Sequence, residues 1–139
     1  MENKAGIWYA PSHLSFLFVT ATHSNTAGLT ETSTVVCSTA ADDIWFGSSG
    51  SLLPSYEAKL VTIEGHEITG YDQPGELVVR SPSVVLGYLN NDQANAETFQ
   101  DGWMRTGDEA VVRKSPKGNE HIFIVDRIKE LIKVKVRIR

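Results

Sequence analysis

The stretch DGWMRTGDEAVVRKSPKGNEHIFIV (residues 101–125) carries the strongest fold signal in the sequence. Two segments rich in β-branched residues, 109–113 and 121–125, flank the run Ser-Pro-Lys-Gly-Asn at 115–119. Strand-forming segments separated by a short run of turn residues are typical of a β-hairpin. We therefore predict an antiparallel hairpin here, preceded by a turn at Asp101-Gly102.

Two more strands are predicted upstream of this hairpin. Segments 56–63 and 76–80 are rich in Val, Ile and Leu, and the second has apolar residues on both faces. Such residues favour strands, and a strand that is apolar on both faces is typical of burial on both sides. Residues 84–86 are expected to extend the same sheet. A short chain supplies little material to cover both faces, so we expect the sequence to be part of a larger fold.

One short helix is predicted between the second strand and the hairpin. Asn91 or Asp92 is suited to cap its first turn, and the helix is expected to end near Phe99. The chain has no internal repeat and no low-complexity segment. The predicted class is therefore mainly β with short helices (α+β).

The composition is that of an ordinary folded domain. The chain has 139 residues, 41% hydrophobic and 22% charged, with a formal net charge of −4. This is too apolar for a disordered chain, and no apolar run approaches the roughly 20 residues that span a bilayer. The single cysteine, Cys37, excludes an internal disulfide framework and a four-cysteine zinc site. The four histidines show no metal-ligand spacing, and His121 is interpreted as a structural residue of its strand.

The end of the chain is basic. From Asp126 to Arg139 there are six basic residues and two acidic ones. Nucleic-acid binding is the functional interpretation, but no aromatic residue interleaves the cations for base stacking. Residues 132–139 alternate apolar and charged, which is typical of a half-buried strand with a solvated charged face. We therefore expect no nucleic-acid partner, and we expect self-association through an exposed strand edge at 132–139.

Three polar segments could carry chemistry. Thr30-Glu31 places a hydroxyl beside a carboxylate, suited to a phosphate and Mg²⁺, or else Thr30 is a plain helix cap. Asp108, in a predicted turn at Thr106-Gly107-Asp108, could accept hydrogen bonds from ribose hydroxyls or simply belong to the turn. The cations within 126–133 could neutralise a phosphate or simply be solvated. The loop at 47–51 lacks the lysine of a phosphate loop and is interpreted as a turn that leads into a strand.

Taken in order, several stretches resemble the AMP-forming acyl-CoA synthetase and ligase superfamily, in its 4-coumarate:CoA ligase-like branch. The matching stretches are GLTET (28–32), GSSGSLLP and AKLV (47–61), PGELVVRSPSVVLGYLN (74–90), AETF (96–99), DGWMRTGD (101–108) and FIVDRIKELIKVK (123–135). The resemblance implies the distorted, β-barrel-like C-terminal part of the large domain of an adenylate-forming enzyme. It also implies a reaction in which a carboxylic acid and ATP form an acyl-adenylate, whose acyl group then passes to a thiol. Mg²⁺, ATP and coenzyme A would be the cofactors and co-substrate.

The resemblance also assigns roles to six residues. Thr30 would contact the phosphate, Glu31 would hold Mg²⁺, and Asp108 would accept hydrogen bonds from the ribose with Arg127 beside it. Lys129 falls at the hinge to the small C-terminal lid. Lys133 lies just beyond the hinge and would approach the reacting centre when the lid rotates.

The same resemblance divides the chain and limits what it is expected to do. Residues 1–27 are unassigned and expected to lie outside the family, 28–127 form a partial AMP-binding domain, and 128–139 form the hinge and the truncated start of the lid. Because no phosphate loop ending in lysine is present and the lid is cut short, we expect a truncated fragment that is inactive alone. The alternative is a stand-alone, non-catalytic β module that binds a nucleotide or a protein. The compartment stays open: the resemblance implies the cytoplasm or the peroxisome for a full-length relative, and this chain has no peroxisomal signal at its end.

Overall fold

The computed structural model describes residues 8–9 and 26–128 of the chain. The elements are β1 (Trp8–Tyr9), β2 (Thr26–Leu29), a 3₁₀ turn (Thr30–Thr32), β3 (Thr34–Ser38), β4 (Ser51–Leu52), β5 (Glu57–Val61), β6 (Glu67–Ile68), β7 (Gly75–Arg80), α1 (Asp92–Thr98), β8 (Phe99–Gln100), β9 (Trp103–Lys114) and β10 (Glu120–Arg127). The expected mainly β fold with one short helix is confirmed for this part of the chain.

The strands form two antiparallel sheets that meet at one backbone junction. The larger sheet has the order β1-β5-β7-β9-β10, with β6 beside β5 and β8 beside β9, and it curls into a half-barrel. The smaller sheet has the order β2-β3-β4. Ile122 of β10 exchanges backbone hydrogen bonds with Ser49 and Gly50, which precede β4, at 2.8 and 2.9 Å. This junction holds the small sheet against the large one.

The predicted hairpin is present but longer than the sequence indicates. β9 and β10 pair from Lys114 and Glu120 at the turn to Asp108 and Arg127 at the far end. The predicted turn at residues 106–108 is wrong, because these residues lie inside β9. A glycine with positive φ occurs both in turns and in irregular strands. Here the φ of +74° at Gly107 produces an irregularity in the strand rather than a reversal of the chain.

Residues 84–86 do not extend the sheet, contrary to the sequence prediction. The Val84 amide closes a turn onto the Ser81 carbonyl, and the Val85 amide donates to the backbone oxygen of Glu31. Tertiary contacts with the 3₁₀ turn therefore take the backbone groups that a strand would have used. The predicted helix is confirmed, and the Asn91 side chain caps it by accepting from the Ala94 amide at 3.2 Å.

β7 lies at the centre of the large sheet and is covered on both faces, as its sequence predicts. Leu77 and Val79 are buried in the main core, while Val78 packs with Val61 and Trp103 on the opposite face. Each fully buried aliphatic side chain contributes about 1.5–3 kcal/mol to stability. The described part of the chain therefore supplies one large core and one small one, with β7 between them.

No helix among residues 26–128 is long and apolar enough to cross a membrane. Lys129, Lys133 and the alternating segment 132–139 lie outside the described residues.

Candidate functional site

A cleft of about 400 Å³ lies where the small sheet faces the end of the β9–β10 hairpin remote from its turn. Its walls combine backbone from β2 with apolar side chains and a cluster of charged groups from β9 and β10. The lining residues are Thr26, Ala27, Gly28, Leu29, Val36, Cys37, Leu77, Thr106, Asp108, Ile124, Asp126 and Arg127. The cleft is thus apolar at its base and charged on one side.

Asp108 and Arg127 form an ion pair at the charged side of the cleft. They are paired across the hairpin, and Arg127 Nε lies 3.2 Å from Asp108 Oδ1. The Asp108 side chain is 14% exposed and that of Arg127 is 68% exposed. Burial raises the pKa of Asp108, and the nearby Arg127 cation partly offsets this effect. The arrangement presents a mostly buried acceptor next to an exposed cation, which suits a ligand with a diol beside an anionic group.

A set of hydrogen bonds behind Asp108 fixes its backbone. Thr106 Oγ1 donates to the Leu77 carbonyl at 2.7 Å and accepts from the Asp108 amide at 3.1 Å. The Gly107 amide donates to Glu76 Oε1 at 3.2 Å. The backbone irregularity at Gly107 is therefore held by side chains from both β9 and β7, and it directs Asp108 into the cleft.

Glu76 and Arg105 are two site-supporting residues that sequence reasoning missed. Glu76 is buried, and its carboxylate accepts hydrogen bonds from the Arg105 guanidinium as well as from the Gly107 amide. Glu76 raises the pKa of Arg105. The sequence signal was available, because a carboxylate in the predicted buried segment GELVV needs a buried partner.

The 3₁₀ turn directly follows Gly28 and Leu29, which line the cleft, so Thr30 and Glu31 adjoin the cleft in sequence without being among its lining residues. Leu29, not Thr30, occupies the N-cap position, so the interpretation of Thr30 as a plain helix cap is wrong. Thr30 is exposed. Tyr88 Oη donates to Glu31 Oε1 at 2.8 Å. Burial and then the Glu31 carboxylate raise the pKa of Tyr88, which keeps its phenol protonated as a donor.

The donor set around Glu31 fits a magnesium ion bound together with a phosphate. Among the described residues, no side chain donates to the second Glu31 oxygen, Oε2, and no group of three or more His, Cys, Asp or Glu is placed to hold a metal. Mg²⁺ usually keeps several waters and binds through one or two carboxylates plus phosphate oxygens of a substrate. Glu31, with the Thr30 hydroxyl as its neighbour, meets that requirement.

A second polar cluster, Ser48, His121 and Asp43, is structural. Ser48 Oγ lies 2.9 Å from His121 Nδ1, and His121 Nε2 lies 3.2 Å from Asp43 Oδ2. This order resembles a nucleophile–base–acid relay. Ser48 and His121 are almost completely buried, however, and Ser48 Oγ is already occupied by the Gly50 amide at 2.8 Å. The cluster therefore ties the loop before β4 to β10, which confirms the structural interpretation of His121.

Comparison with known proteins decides the family. Residues 6–89 match the model of the AMP-binding enzyme family. The chain belongs to the AMP-binding enzyme family. It is similar to an acyl-CoA ligase, lcsD, of Purpureocillium lilacinum, with 53% identity over 109 residues that cover 78% of this chain and 28% of the relative. The luciferin 4-monooxygenase of Photinus pyralis is 43% identical over 78% of this chain and 19% of its own length.

Solved structures of AMP-binding enzymes agree with this assignment. The anthranilate CoA ligase AuaEII, in complex with anthranoyl-AMP, superimposes with a TM-score of 0.67 at 32% identity, over 75% of this chain and 19% of that one. The O-succinylbenzoate coenzyme A synthetase MenE of Bacillus subtilis, with ATP and magnesium ion, gives 0.67 at 29% identity, over 76% and 22%. The resemblance to acyl-CoA ligases and the expected adenylate-forming fold are confirmed. The chain spans less than a third of the curated relatives quoted above.

Proposed function

We propose that this chain carries the nucleotide-binding part of an AMP-forming acid:thiol ligase, with the cleft as the site of the AMP moiety. The observation that carries the proposal is the Asp108–Arg127 pair, 3.2 Å apart, at the charged side of a cleft of about 400 Å³. Two relatives of known structure contain anthranoyl-AMP or ATP with magnesium ion. A carboxylate that accepts from a vicinal diol beside a cation is the chemistry a nucleotide requires.

Four candidate residues, two that line the cleft and two that follow it in the 3₁₀ turn, have proposed roles in binding. Asp108 accepts hydrogen bonds from the two ribose hydroxyls, and Arg127 orients that carboxylate and adds positive charge near the phosphate. Thr30 donates its hydroxyl to a phosphate oxygen. Glu31 holds Mg²⁺, which when bound offsets the negative charge on the phosphate groups. In the complete reaction a carboxylic acid displaces pyrophosphate from ATP, and coenzyme A then displaces AMP.

Lys129 and Lys133 complete the proposal for the whole ligase. Lys129 is the hinge residue, and Lys133 supplies a cation to the reacting centre when the lid turns. The division into 28–127 as a partial AMP-binding domain and 128–139 as hinge and start of the lid remains part of this proposal.

The first test is AMP binding by the 139-residue chain, measured by isothermal titration calorimetry. Removal of a charged hydrogen-bond partner costs about 1.5–3 kcal/mol, so Asp108→Ala is expected to weaken AMP binding by roughly 10- to 100-fold. The control is Asp101→Ala, in an exposed turn outside the cleft. Equal AMP affinity of wild type and Asp108→Ala would contradict the proposed nucleotide site.

A second assay separates binding from catalysis. The alternative, a non-catalytic nucleotide-binding module, is favoured by the observation that Asp108 and Arg127 are both supplied by this chain. ATP–pyrophosphate exchange with a panel of carboxylic acids tests whether the chain catalyses adenylation in addition to binding AMP. AMP binding without exchange is expected both from a ligase part that needs further segments and from a non-catalytic module. Exchange above background would overturn the expectation that the chain is inactive alone.

A further inference from the structure

The segment between β7 and α1, residues 81–91, contacts the 3₁₀ turn that contains Glu31. The Val85 amide donates to the backbone oxygen of Glu31 at 2.8 Å, and Ser33 Oγ donates to the Ser83 carbonyl at 2.9 Å. Tyr88 Oη donates to Glu31 Oε1 at 2.8 Å. One segment therefore holds both the backbone and the side chain of the 3₁₀ turn.

Tyr88 is itself held firmly by α1 and β8. Its amide donates to Asn95 Oδ1 at 2.6 Å, and Asn95 Nδ2 donates back to the Tyr88 carbonyl at 3.0 Å. The Tyr88 ring packs on that of Phe99, with centroids 5.6 Å apart. Gly87 allows the close approach, since a Cβ at this position would lie 3.0 Å from Asn95 Oδ1. The phenol therefore reaches Glu31 from a fixed position rather than as a mobile surface side chain.

This contact determines how Glu31 can receive a cation. A glutamate in a turn has several rotamers, and it must lose them when it binds a metal. A neutral phenol that donates to Oε1 selects one rotamer and leaves the negative charge of the carboxylate in place. A lysine at the same position would neutralise that charge. The phenol also leaves Oε2 without a side-chain donor among the described residues, so this oxygen is available to an ion. Such outer contacts orient metal ligands in many proteins, and their loss typically weakens metal affinity about 10- to 100-fold.

We propose that Tyr88 is a positioning residue that orients the Glu31 carboxylate toward a nucleotide-bound magnesium ion. The inference rests on the proposed function, because that function supplies the metal role of Glu31. It adds the helix α1 and the segment before it to the site, although neither contributes a residue to the cleft lining.

The test compares the ATP affinity of the 139-residue chain in saturating Mg²⁺ with its affinity in EDTA, by titration calorimetry. In Tyr88→Phe, the increase in ATP affinity produced by Mg²⁺ is expected to be about tenfold smaller than in wild type. Its affinity for AMP in EDTA is expected to equal that of wild type, which a general loss of structure would not allow. Glu31→Gln is expected to lose the whole Mg²⁺-dependent gain.

Tyr71→Phe is the matched control. Tyr71 Oη donates to Glu120 Oε1 at 2.6 Å near the hairpin turn, so this variant loses the same kind of hydrogen bond away from Glu31. Its Mg²⁺-dependent gain in ATP affinity should be unchanged.

If Glu31→Gln abolishes the gain and Tyr88→Phe retains it, only the positioning role of Tyr88 is overturned. If wild type shows no Mg²⁺-dependent gain, the metal role of Glu31 and the positioning role are both overturned. Loss of AMP binding in EDTA by Tyr88→Phe also overturns the inference, whereas AMP binding insensitive to Asp108→Ala contradicts the nucleotide site itself.

Discussion

At the scale of single residues, the ionised side chain of Asp108 lowers the free energy of unfolding. Its folded-state pKa is raised, chiefly by burial, although Arg127 lies beside it. A carboxyl group with a raised folded pKa stabilises the fold only while it is protonated, and this contribution is lost as the pH rises through the folded pKa. At neutral pH the ionised Asp108 therefore costs stability. That cost is consistent with a side chain retained for binding rather than for folding.

Asp43 behaves in the opposite way. Burial alone would raise its pKa, but hydrogen bonds from Asn119, Ser115 and His121 outweigh burial and lower it below the ordinary value. Asp43 therefore contributes stability that is fully present above the unfolded-state pKa and is lost as the pH falls through the folded pKa. The buried carboxylate holds together the loop before β4 and the turn of the hairpin.

Asp43→Ala is predicted to destabilise the chain by about 3 kcal/mol at neutral pH, because it leaves the buried donors Ser115 and His121 without this acceptor. Urea unfolding measures this value. Asp42→Ala is the control, since the ion pair of Asp42 with Lys117 is exposed and its loss should cost less than about 1 kcal/mol. The difference between wild type and Asp43→Ala should narrow at acidic pH. If Asp43→Ala lowers the free energy of unfolding no more than Asp42→Ala does, the stabilising role of the buried Asp43 carboxylate is contradicted.

At the scale of secondary-structure elements, β9 shows where local sequence was sufficient and where it was not. The hairpin turn at 115–119 and both flanking strands were predictable, because turn residues separate two β-branched segments. The first half of β9 was not, because Gly107 and Asp108 are turn residues by composition. The Gly107 amide donates to Glu76, and Thr106 Oγ1 donates to the Leu77 carbonyl, and these bonds keep the segment in the strand. Glu76 and Leu77 lie 31 and 29 positions from these partners, so local sequence does not reveal them.

Gly107→Ala is predicted to destabilise the fold by about 1 kcal/mol, because a φ of +74° is unfavourable for a residue with a Cβ. It is also expected to displace Asp108 and weaken AMP binding. Thermal unfolding and AMP titration measure the two effects.

Gly118→Ala is the matched control, since Gly118 has a φ of +87° in the hairpin turn, with open space around its Cβ position as at Gly107. Its loss of stability should be similar, with unchanged AMP affinity. An equal loss of AMP affinity in both variants would show that the effect is not local to the cleft.

At the scale of the whole molecule, the cleft exists because two sheets meet. β2 and β3 supply one wall, and β7, β9 and β10 supply the other. A ligand that contacts both walls binds the folded chain and not the unfolded one. Its binding energy therefore adds to the free energy of unfolding.

AMP is predicted to stabilise the chain by about 2.7 kcal/mol at a concentration 100 times its dissociation constant. Differential scanning calorimetry with and without AMP measures the shift in Tm. Because Asp108→Ala is expected to bind AMP 10- to 100-fold more weakly, its stabilisation at the same AMP concentration should fall to about 0.4–1.4 kcal/mol. A shift of equal size in wild type and Asp108→Ala would place AMP outside the cleft.

The amino-acid sequence by itself determined the hairpin, the strands around 57–61 and 75–80, the capped helix and the family, because each depends on local pattern or on motif order. It also singled out Asp108, Arg127, Thr30 and Glu31 as candidates. Only the tertiary structure brought Asp108 and Arg127 into one cleft, kept residues 106–108 in a strand, and placed Tyr88 against Glu31. These features depend on contacts between residues far apart in the chain, 57 positions for Tyr88 and Glu31. Such contacts form only when the sheets pack, so local sequence patterns do not encode them.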